Sequence, residues 1–293
     1  MTCILSKLIC FGQSEQKAYR FAFDQINHTY QTLNPTVLKN KEHTFNSILG
    51  FNDFNSLSKN VYAMYVKADL TIRQENKRIP SRIKNRQKKT PFHNITLNLF
   101  PEKEGIYINK TRGYFGYSYA LPLNEKVMLS LGLQLGFINY AITIPGGSSG
   151  IIPDATAGIG IFTDNFCFGF SSNQLMNNTL SLFIDPIQFA RFYTAMTEKK
   201  IELNPLWDLK SSLFSTFNTP FSDLTFTNLF YYNDSFYTGA SWRLKYGLMM
   251  MVGVENVRLS DLLFLFATSY RVNIGNGEVI NTNRIELTLG ISF

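Results

Sequence analysis

The sequence predicts an all-β fold, an antiparallel transmembrane β-barrel of about 14 strands with a short N-terminal extension. Three observations lead to this prediction. Aromatic residues make up 15% of the chain and charged residues only 17%, whereas a soluble domain has about 25% charged residues. Mean hydropathy is near zero, at −0.06, and no run approaches the ~18–20 apolar residues of a membrane helix. Apolar and polar residues alternate in many segments, so each strand would have one apolar face for lipid.

The N-terminus resembles a degenerate export signal over residues 1–12, because its apolar stretch is short and contains Lys7. We expect cleavage near Gly12 or Gln13 in preference to lipidation at Cys10. Residues 13–43 would then form an extension that either enters the barrel as a plug or lies beside it, and residues 44–293 would form the barrel. A mature chain would keep only Cys167, which excludes a disulfide framework.

Alternation marks the strands of the barrel in chain order. The predicted strands cover residues 44–51, 62–72, 94–100, 114–121, 127–137, 155–162, 166–171, 191–196, 206–214, 224–232, 236–242, 246–254, 262–270 and 284–293. The clearest is 127–137, in which Val127 and every second residue to Phe137 are apolar, while Met128, Ser130 and Gln134 lie on the other face with glycines. A bilayer crossing at a tilt needs about 9–11 residues. A soluble two-sheet structure is the alternative, but its outer faces should carry more charge.

The connections between these strands alternate in length. If the N-terminus is periplasmic, the long connections 139–154, 172–188 and 272–283 are external and the short ones, 122–126, 163–165 and 233–235, are periplasmic. This asymmetry is typical of outer-membrane barrels. The connection 73–92 is an exception, because it is long and would be periplasmic.

Aromatic residues gather near the predicted strand ends, where rings sit at the level of the lipid head groups. A girdle is therefore predicted from Tyr117, Tyr119, Phe166, Phe168, Tyr231, Tyr232, Phe236, Tyr237, Trp242 and Tyr246. The final strand places Ile285 and Leu287 on its apolar face and ends at Phe293. A C-terminal strand that ends on Phe is typical of bacterial outer-membrane barrels, so we interpret Phe293 as a signal to the barrel-assembly machinery.

Several segments together resemble the PorP/SprF family of outer-membrane proteins of Bacteroidota. The segments that carry the resemblance are Leu-Asn-Pro at residues 33–35, a hairpin over 113–135, and Pro-Asp at 153–154 followed by AGIGIFTDNFCFGFSSNQ at 157–174. An aromatic-Gly strand at 236–242 and the Gly-x-x-Phe ending at 290–293 complete the order. The basic segment after residue 72 and the loop 146–150 depart from the pattern. The resemblance implies a non-enzymatic component of type IX secretion or gliding motility in a Gram-negative outer membrane.

Such proteins anchor or accept secreted cargo or adhesins at the cell surface and contact the periplasmic ring of the secretion machinery. The expected partners are therefore ring proteins, cargo, assembly machinery and outer-membrane lipid. A passive channel or hydrophobic-solute transporter of similar strand number is the alternative. The lumen discriminates between the two, since a transporter needs an open or gated path.

A basic segment is the strongest candidate for a partner site. Its cations are Arg73, Lys77, Arg78, Arg82, Lys84, Arg86, Lys88 and Lys89, against the single acid Glu75. It predicts either an electrostatic dock for an acidic periplasmic partner or a solvated loop. Nucleic acid is not expected, because no aromatic residue is interleaved to stack bases.

Catalytic and metal sites are not indicated. His28, His43 and His93 are far apart, and no His or Cys spacing matches a metal site. No Ser stands in a triad-like position relative to His93, and the carboxylates cluster in turns. We therefore expect no enzyme activity, no cofactor and no metal.

Overall fold

Fourteen strands close into a single antiparallel barrel in the computed structural model of the chain. The structure describes residues 30, 33–37, 43–52, 62–73, 89–104, 107–143, 147–181, 186–217, 223–244, 247–272 and 283–293. The strands are β1 (Thr44–Asn52), β2 (Tyr62–Arg73), β3 (Phe92–Glu104), β4 (Ile108–Pro122), β5 (Met128–Ile142), β6 (Ser149–Phe162), β7 (Phe166–Asn173), β8 (Thr179–Leu180), β9 (Ile187–Gln188), β10 (Phe192–Asn204), β11 (Trp207–Phe217), β12 (Asp223–Tyr232), β13 (Phe236–Arg243), β14 (Gly247–Leu259), β15 (Leu262–Val272) and β16 (Arg284–Ser292). The short strands β8 and β9 form a separate two-stranded sheet, and β1 pairs with β16 to close the barrel. The predicted barrel of about 14 strands is thereby confirmed.

The alternation of side chains explains the two faces of the wall. On β5, Leu131, Leu133 and Leu135 are exposed on the outer wall, while Ser130 and Gln134 are buried in the lumen. On β16, Leu287 and Leu289 face outward and Glu286 and Thr288 are buried inside. The predicted division into a lipid-facing apolar face and a polar lumen face is correct for both strands.

The two ends of the barrel differ in their connections. We call one the turn end, because residues 123–127, 163–165, 205–206, 233–235 and 260–261 make short connections there. The beginning of β1 and the C-terminus of the chain lie at the same end, as does the long connection 74–91. The opposite end, which carries the connections 143–148 and 174–191, is called the loop end.

Two predicted boundaries differ from the structure, each for its own physical reason. The predicted external loop 139–154 is mostly strand, because β5 continues to Ile142 and β6 begins at Ser149. In this stretch the lumen positions Ile138, Tyr140 and Ile152 are apolar as well, so the period of two disappears from the sequence. The predicted strand 191–196 likewise extends to Asn204, through the charged residues that follow it.

The connection 174–191 folds back over the loop end. Leu180 and Phe189, from this connection, are buried in one cluster with the lumen residues Ile138, Tyr140 and Ile152. The amide of Phe189 donates to the Asn178 carbonyl at 2.8 Å, beside the β8–β9 pair. An apolar cap therefore covers the lumen where β4, β5 and β6 end.

Candidate functional site: the N-terminal segment inside the barrel

Part of the N-terminal extension lies in the lumen. We call residues 33–37 the lumen segment. The amide of Val37 donates to the Ser130 hydroxyl at 3.1 Å, and the Ser171 hydroxyl donates to the Leu33 carbonyl at 2.5 Å. Ser130 and Ser171 are buried lumen positions of β5 and β7. Of the two positions expected for the extension, its described residues therefore take the interior of the barrel.

Two glycines of the barrel wall leave the space that the lumen segment fills. A Cβ at Gly132 would lie 2.7 Å from the carbonyl carbon and oxygen of Pro35. A Cβ at Gly158 would meet the Asn34 side-chain oxygen and lie 3.0 Å from the Pro35 ring. Because such contacts are closer than van der Waals distance, any other residue at either position would displace the segment or the strand.

The sequence Leu-Asn-Pro-Thr forms a compact turn by local hydrogen bonds. The Asn34 side-chain oxygen accepts from the Thr36 amide at 3.0 Å and from the Thr36 hydroxyl at 2.8 Å. The amides of Leu33 and Asn34 both donate to the Tyr30 carbonyl at 3.0 Å. An Asn that bonds two residues ahead, followed by a proline with fixed φ, stabilises a turn before it makes other contacts. The lumen segment therefore enters the barrel with its shape already constrained.

Apolar packing holds the segment near the turn end. Tyr30 and Val37 are buried in the same cluster, and Leu33 packs against it. The barrel residues of that cluster are Phe92, Ala120, Met128, Phe162, Cys167, Met196 and Phe214. Phe92 and Met128 are the first residues of β3 and β5, so this cluster lies in the lumen close to the turn end. The two apolar clusters thus cover parts of the lumen at opposite ends of the barrel.

Between these clusters the lumen is polar and charged. Buried ion pairs join Arg112 to Glu102 and Arg243 to Asp223, each at 2.8 Å. Two further buried pairs are formed by Arg284 with Glu286, at 3.0 Å, and by Lys67 with Asp69. Tyr114 donates to the Asp154 carboxylate at 2.7 Å. Because buried charges must be paired, these contacts fix the lumen side chains.

One wall of the lumen is apolar and aromatic, contrary to the sequence prediction. Tyr231 and Tyr237 were predicted for the interface girdle, but both are buried in the lumen with stacked rings 5.0 Å apart. Lys210 lies 3.5 Å from the centre of the Tyr231 ring. The remaining members of this wall are Leu229, Met249, Met251 and Ala267, with Leu265 packed against them. Alternation alone did not identify the inward face here, because both faces of these strands carry large side chains.

Six other residues predicted for the girdle are exposed on the outer wall, and Tyr119 is partly buried. They are Tyr117, Phe166, Phe168, Tyr232, Phe236 and Trp242, and Tyr246 lies outside the described residues. Trp207 joins them at the turn end, where its ring lies 5.1 Å from that of Tyr232. The predicted outward position is therefore correct for these six residues.

Only the two ends of the basic segment fall within the described residues. The Arg73 guanidinium lies 5.6 Å from the centre of the Phe92 ring. Lys89 donates to the Lys126 carbonyl at 2.8 Å and pairs with Asp164 at 2.9 Å. Lys77, Arg78, Arg82, Lys84, Arg86 and Lys88 lie outside the described residues. Lys89 thus ties the end of the segment to two turns, 123–127 and 163–165, at the end of the barrel that the lumen segment closes.

A second ion-pair network stiffens the turn end on the other side of the barrel. Lys200 pairs with Asp208 at 2.8 Å and with Asp234 at 3.0 Å, which joins β10, β11 and the turn 233–235. The hydrogen bond from Lys200 lowers the pKa of the Asp234 carboxyl below its usual range. The turn end therefore presents fixed charges as well as the basic segment.

The C-terminal residue lies at the edge of the turn end. The Phe293 amide donates to the His43 carbonyl at 3.1 Å, and the two rings are 5.4 Å apart. The Phe293 side chain is 58% exposed, so it packs little within the folded barrel. His93, the other histidine among the described residues, lies 2.7 Å from the Tyr117 hydroxyl on the outer wall.

Within the described ranges, no three His, Cys, Asp or Glu side chains come together as metal ligands would. Nor does any helix in that part of the chain have the length and apolar content to cross a membrane.

Comparison with known proteins adds a family and a fold. The family model described as "Type IX secretion system membrane protein PorP/SprF" matches residues 15–291. A deltaS2 mutant of the monoaromatic hydrocarbon channel TodX has a similar structure, with a TM-score of 0.57, 9% identity, and coverage of 88% of this chain and 92% of that chain. The toluene transporter TbuX of Ralstonia pickettii gives a TM-score of 0.56, 9% identity, and coverage of 89% and 92%. At such low identity these two similarities show the barrel fold alone. No curated protein matches the sequence.

Proposed function

The chain belongs to the PorP/SprF family of type IX secretion membrane proteins, and from that premise we propose that this outer-membrane barrel anchors or accepts secreted proteins or adhesins at the cell surface. It would also contact the periplasmic machinery that delivers them. The role is one of binding and contains no catalytic step.

Coverage of parts of the lumen by apolar clusters at both ends of the barrel is the observation that supports this proposal. The lumen segment is fixed by Ser130 and Ser171 near the turn end, and Leu180 and Phe189 cover lumen residues at the loop end. Buried ion pairs line the lumen between them. A protein that holds partners at its two ends needs a rigid barrel and no continuous path, whereas a passive channel needs such a path.

The external contact face would be the connection 174–191. The predicted external loop 139–154 is shorter in the structure. Because β5 and β6 are longer than predicted, only residues 143–148 connect them. The connection 174–191 is the larger of the two, and Leu180 and Phe189 attach it to the barrel. We expect cargo or an adhesin to bind there, on a loop held in place by packing.

The periplasmic contact face would be the basic segment. Its eight cations and Glu75 give it a formal charge of +7, equal to the net charge of the whole chain. Lys89 already pairs with Asp164, so an acidic partner would contact mainly the cations from Lys77 to Lys88. Charge complementarity of this kind steers association and selects partners.

The test is affinity capture of the tagged protein from native outer membranes. We expect type IX ring proteins with the unaltered chain, and their loss when all eight basic residues are replaced by Ser. A matched control replaces eight Ser and Thr residues elsewhere on the chain with Ala and leaves the charge unchanged. Unchanged capture by the eight-Ser protein would contradict the periplasmic half of the proposal.

A channel for hydrophobic solutes is the second candidate, and the aromatic wall of the lumen favours it. Tyr231, Tyr237, Met249 and Met251 form an apolar surface inside the barrel. The proteins TodX and TbuX, which share the fold, are described as a hydrocarbon channel and a toluene transporter. Ion conductance or solute leakage from vesicles that contain only the purified protein would favour this second function.

A further inference from the structure

A polar patch interrupts the outer wall of the barrel on β10, β11 and β12. The patch consists of Thr197, Lys199, Ser211, Ser215 and Asn228. The pairing register makes Lys199, Ser211 and Asn228 direct neighbours across the three strands. All five side chains share the outward face with Leu213 and Phe226, which are exposed. On β5, by contrast, the corresponding outward positions carry Leu131, Leu133 and Leu135.

The patch lies within the band of wall that faces lipid. Ser211 is four residues beyond Trp207 on β11, and Asn228 is four residues before Tyr232 on β12. The Trp207–Tyr232 ring pair marks the interface at the turn end. Four residues of a strand tilted by about 40° rise by about 10 Å, so Ser211 and Asn228 lie about 10 Å from the ring pair toward the loop end. Lys199 lies closer to the interface, because it is in register with the girdle residue Phe166 at the start of β7.

The polar groups of the patch are incompletely satisfied by the described residues. The Ser211 hydroxyl donates to the Asn228 side-chain oxygen at 2.6 Å. The Asn228 side-chain NH2, the Thr197 hydroxyl and the Lys199 ammonium have no partner in the described part of the chain. Lipid tails offer no hydrogen-bond acceptor, so the Asn228 and Thr197 groups need partners from another molecule, whereas Lys199 can extend its ammonium toward the interface at the turn end.

The patch is lower than the wall on either side of it. Phe166, Phe168 and Phe170 project from β7 on one flank. Trp242 projects from β13 on the other flank, and Phe226 and Phe230 project from β12 on either side of Asn228. Another protein wall could therefore contact the small polar residues closely while the aromatic residues enclose the contact.

We propose that the polar patch is a lateral interface with another membrane-embedded β-barrel whose lipid-facing wall carries a carboxylate. The single uncompensated charge of the patch, on Lys199, selects a partner of opposite charge over a second copy of this chain. A copy would bring a second Lys199 to the same contact, and like charges disfavour it. The interface is distinct from the proposed binding faces at the two ends of the barrel, and from the β1–β16 seam.

A photocrosslinking experiment in native outer membranes tests this proposal. Benzoylphenylalanine replaces Ser211 in one protein and Leu133 in the control, because Leu133 is exposed on the outer wall of β5. We expect a protein adduct from position 211, and none from 133. Peptide mapping should place the contact in a transmembrane strand of a barrel that bears an Asp or Glu facing lipid. Heat-modifiable gel mobility verifies that both proteins have folded.

Charge variants at position 199 separate this proposal from other occupants. We expect Lys199→Glu to lower the adduct yield about tenfold or more, because it faces a carboxylate, and Lys199→Arg to preserve the yield. Three results would overturn the proposal. These are lipid adducts alone from both positions, an adduct of two copies of this chain, and a yield that Lys199→Glu leaves unchanged.

Discussion

The side-chain oxygen of Asn34 occupies the space where Gly158 would carry a Cβ. These residues are far apart in the sequence, and their contact sets how deeply the lumen segment enters the barrel. Asn34 also accepts two hydrogen bonds from Thr36, so its position is fixed from both sides. The fit of this segment against a glycine is the most direct means of testing whether it obstructs the lumen.

Gly158→Val should displace the lumen segment. The added side chain overpacks the site by about 1–3 kcal/mol, which corresponds to about 5- to 150-fold in the equilibrium between bound and released segment. Cys167 is buried in the cluster that holds the segment, so its alkylation by a maleimide should accelerate to a similar extent. The measurement uses a chain in which Cys3 and Cys10 are replaced by Ser. Ala157→Val, on the outward face of the same strand, is the control, and equal rates in the two variants would refute the plug.

Asp223→Asn should destabilise the barrel strongly. It removes the carboxylate charge that the buried Arg243 guanidinium contacts at 2.8 Å, and removal of one member of a buried pair costs about 3–5 kcal/mol. Urea unfolding in lipid vesicles, followed by the heat-modifiable band, measures the free energy of unfolding. The exposed Asp261 supplies the comparison, because Asp261→Asn at the surface should change stability by no more than ~0.5 kcal/mol. Similar losses for both substitutions would show that the lumen pair is not energetically important.

Phe293→Ala should lower the amount of assembled barrel in the outer membrane without a matching loss of stability. The ring is 58% exposed and packs mainly beside His43, so its removal sacrifices little folded-state contact. Phe266, which is 52% exposed on the outer wall, is a matched aromatic. We expect the yield of folded protein in cells to fall for Phe293→Ala and to remain for Phe266→Ala. An equal yield for both variants would remove the assembly role of Phe293.

Capture of an acidic periplasmic partner should depend on position within the basic segment. Lys89→Ser should retain capture close to that of the unaltered chain, because Lys89 already bonds to Asp164 and to the Lys126 carbonyl. Its exposed ion pair should also contribute no more than ~1 kcal/mol to stability. Capture by the unaltered chain should decline as the salt concentration rises, because salt screens the charges. Replacement of the six cations from Lys77 to Lys88 should abolish this salt-sensitive capture. A loss of capture confined to Lys89→Ser would place the contact at the 163–165 turn instead.

Sequence patterns located the wall of the barrel more accurately than its contents. The alternation of Leu131, Leu133 and Leu135 with small polar residues identified β5 and its faces correctly. The same reasoning failed for Tyr231 and Tyr237, because outward Tyr232 and Phe236 made both faces look equally aromatic. The Leu-Asn-Pro element was visible only as a resemblance. Glycines at the lumen positions 132 and 158 were the available signal that something packs against the wall there.

The sequence by itself determined the all-β barrel, the strand order and the lipid-facing side of most strands. These properties follow from a period of two that each strand carries locally, whatever its neighbours are. Only the tertiary structure decided what fills the lumen. The contact between Val37 and Ser130 spans 93 residues, and that between Leu33 and Ser171 spans 138. Such contacts depend on the register and closure of the whole barrel, because these bring side chains from distant parts of the chain to the same height along the barrel axis. No local sequence pattern encodes that height.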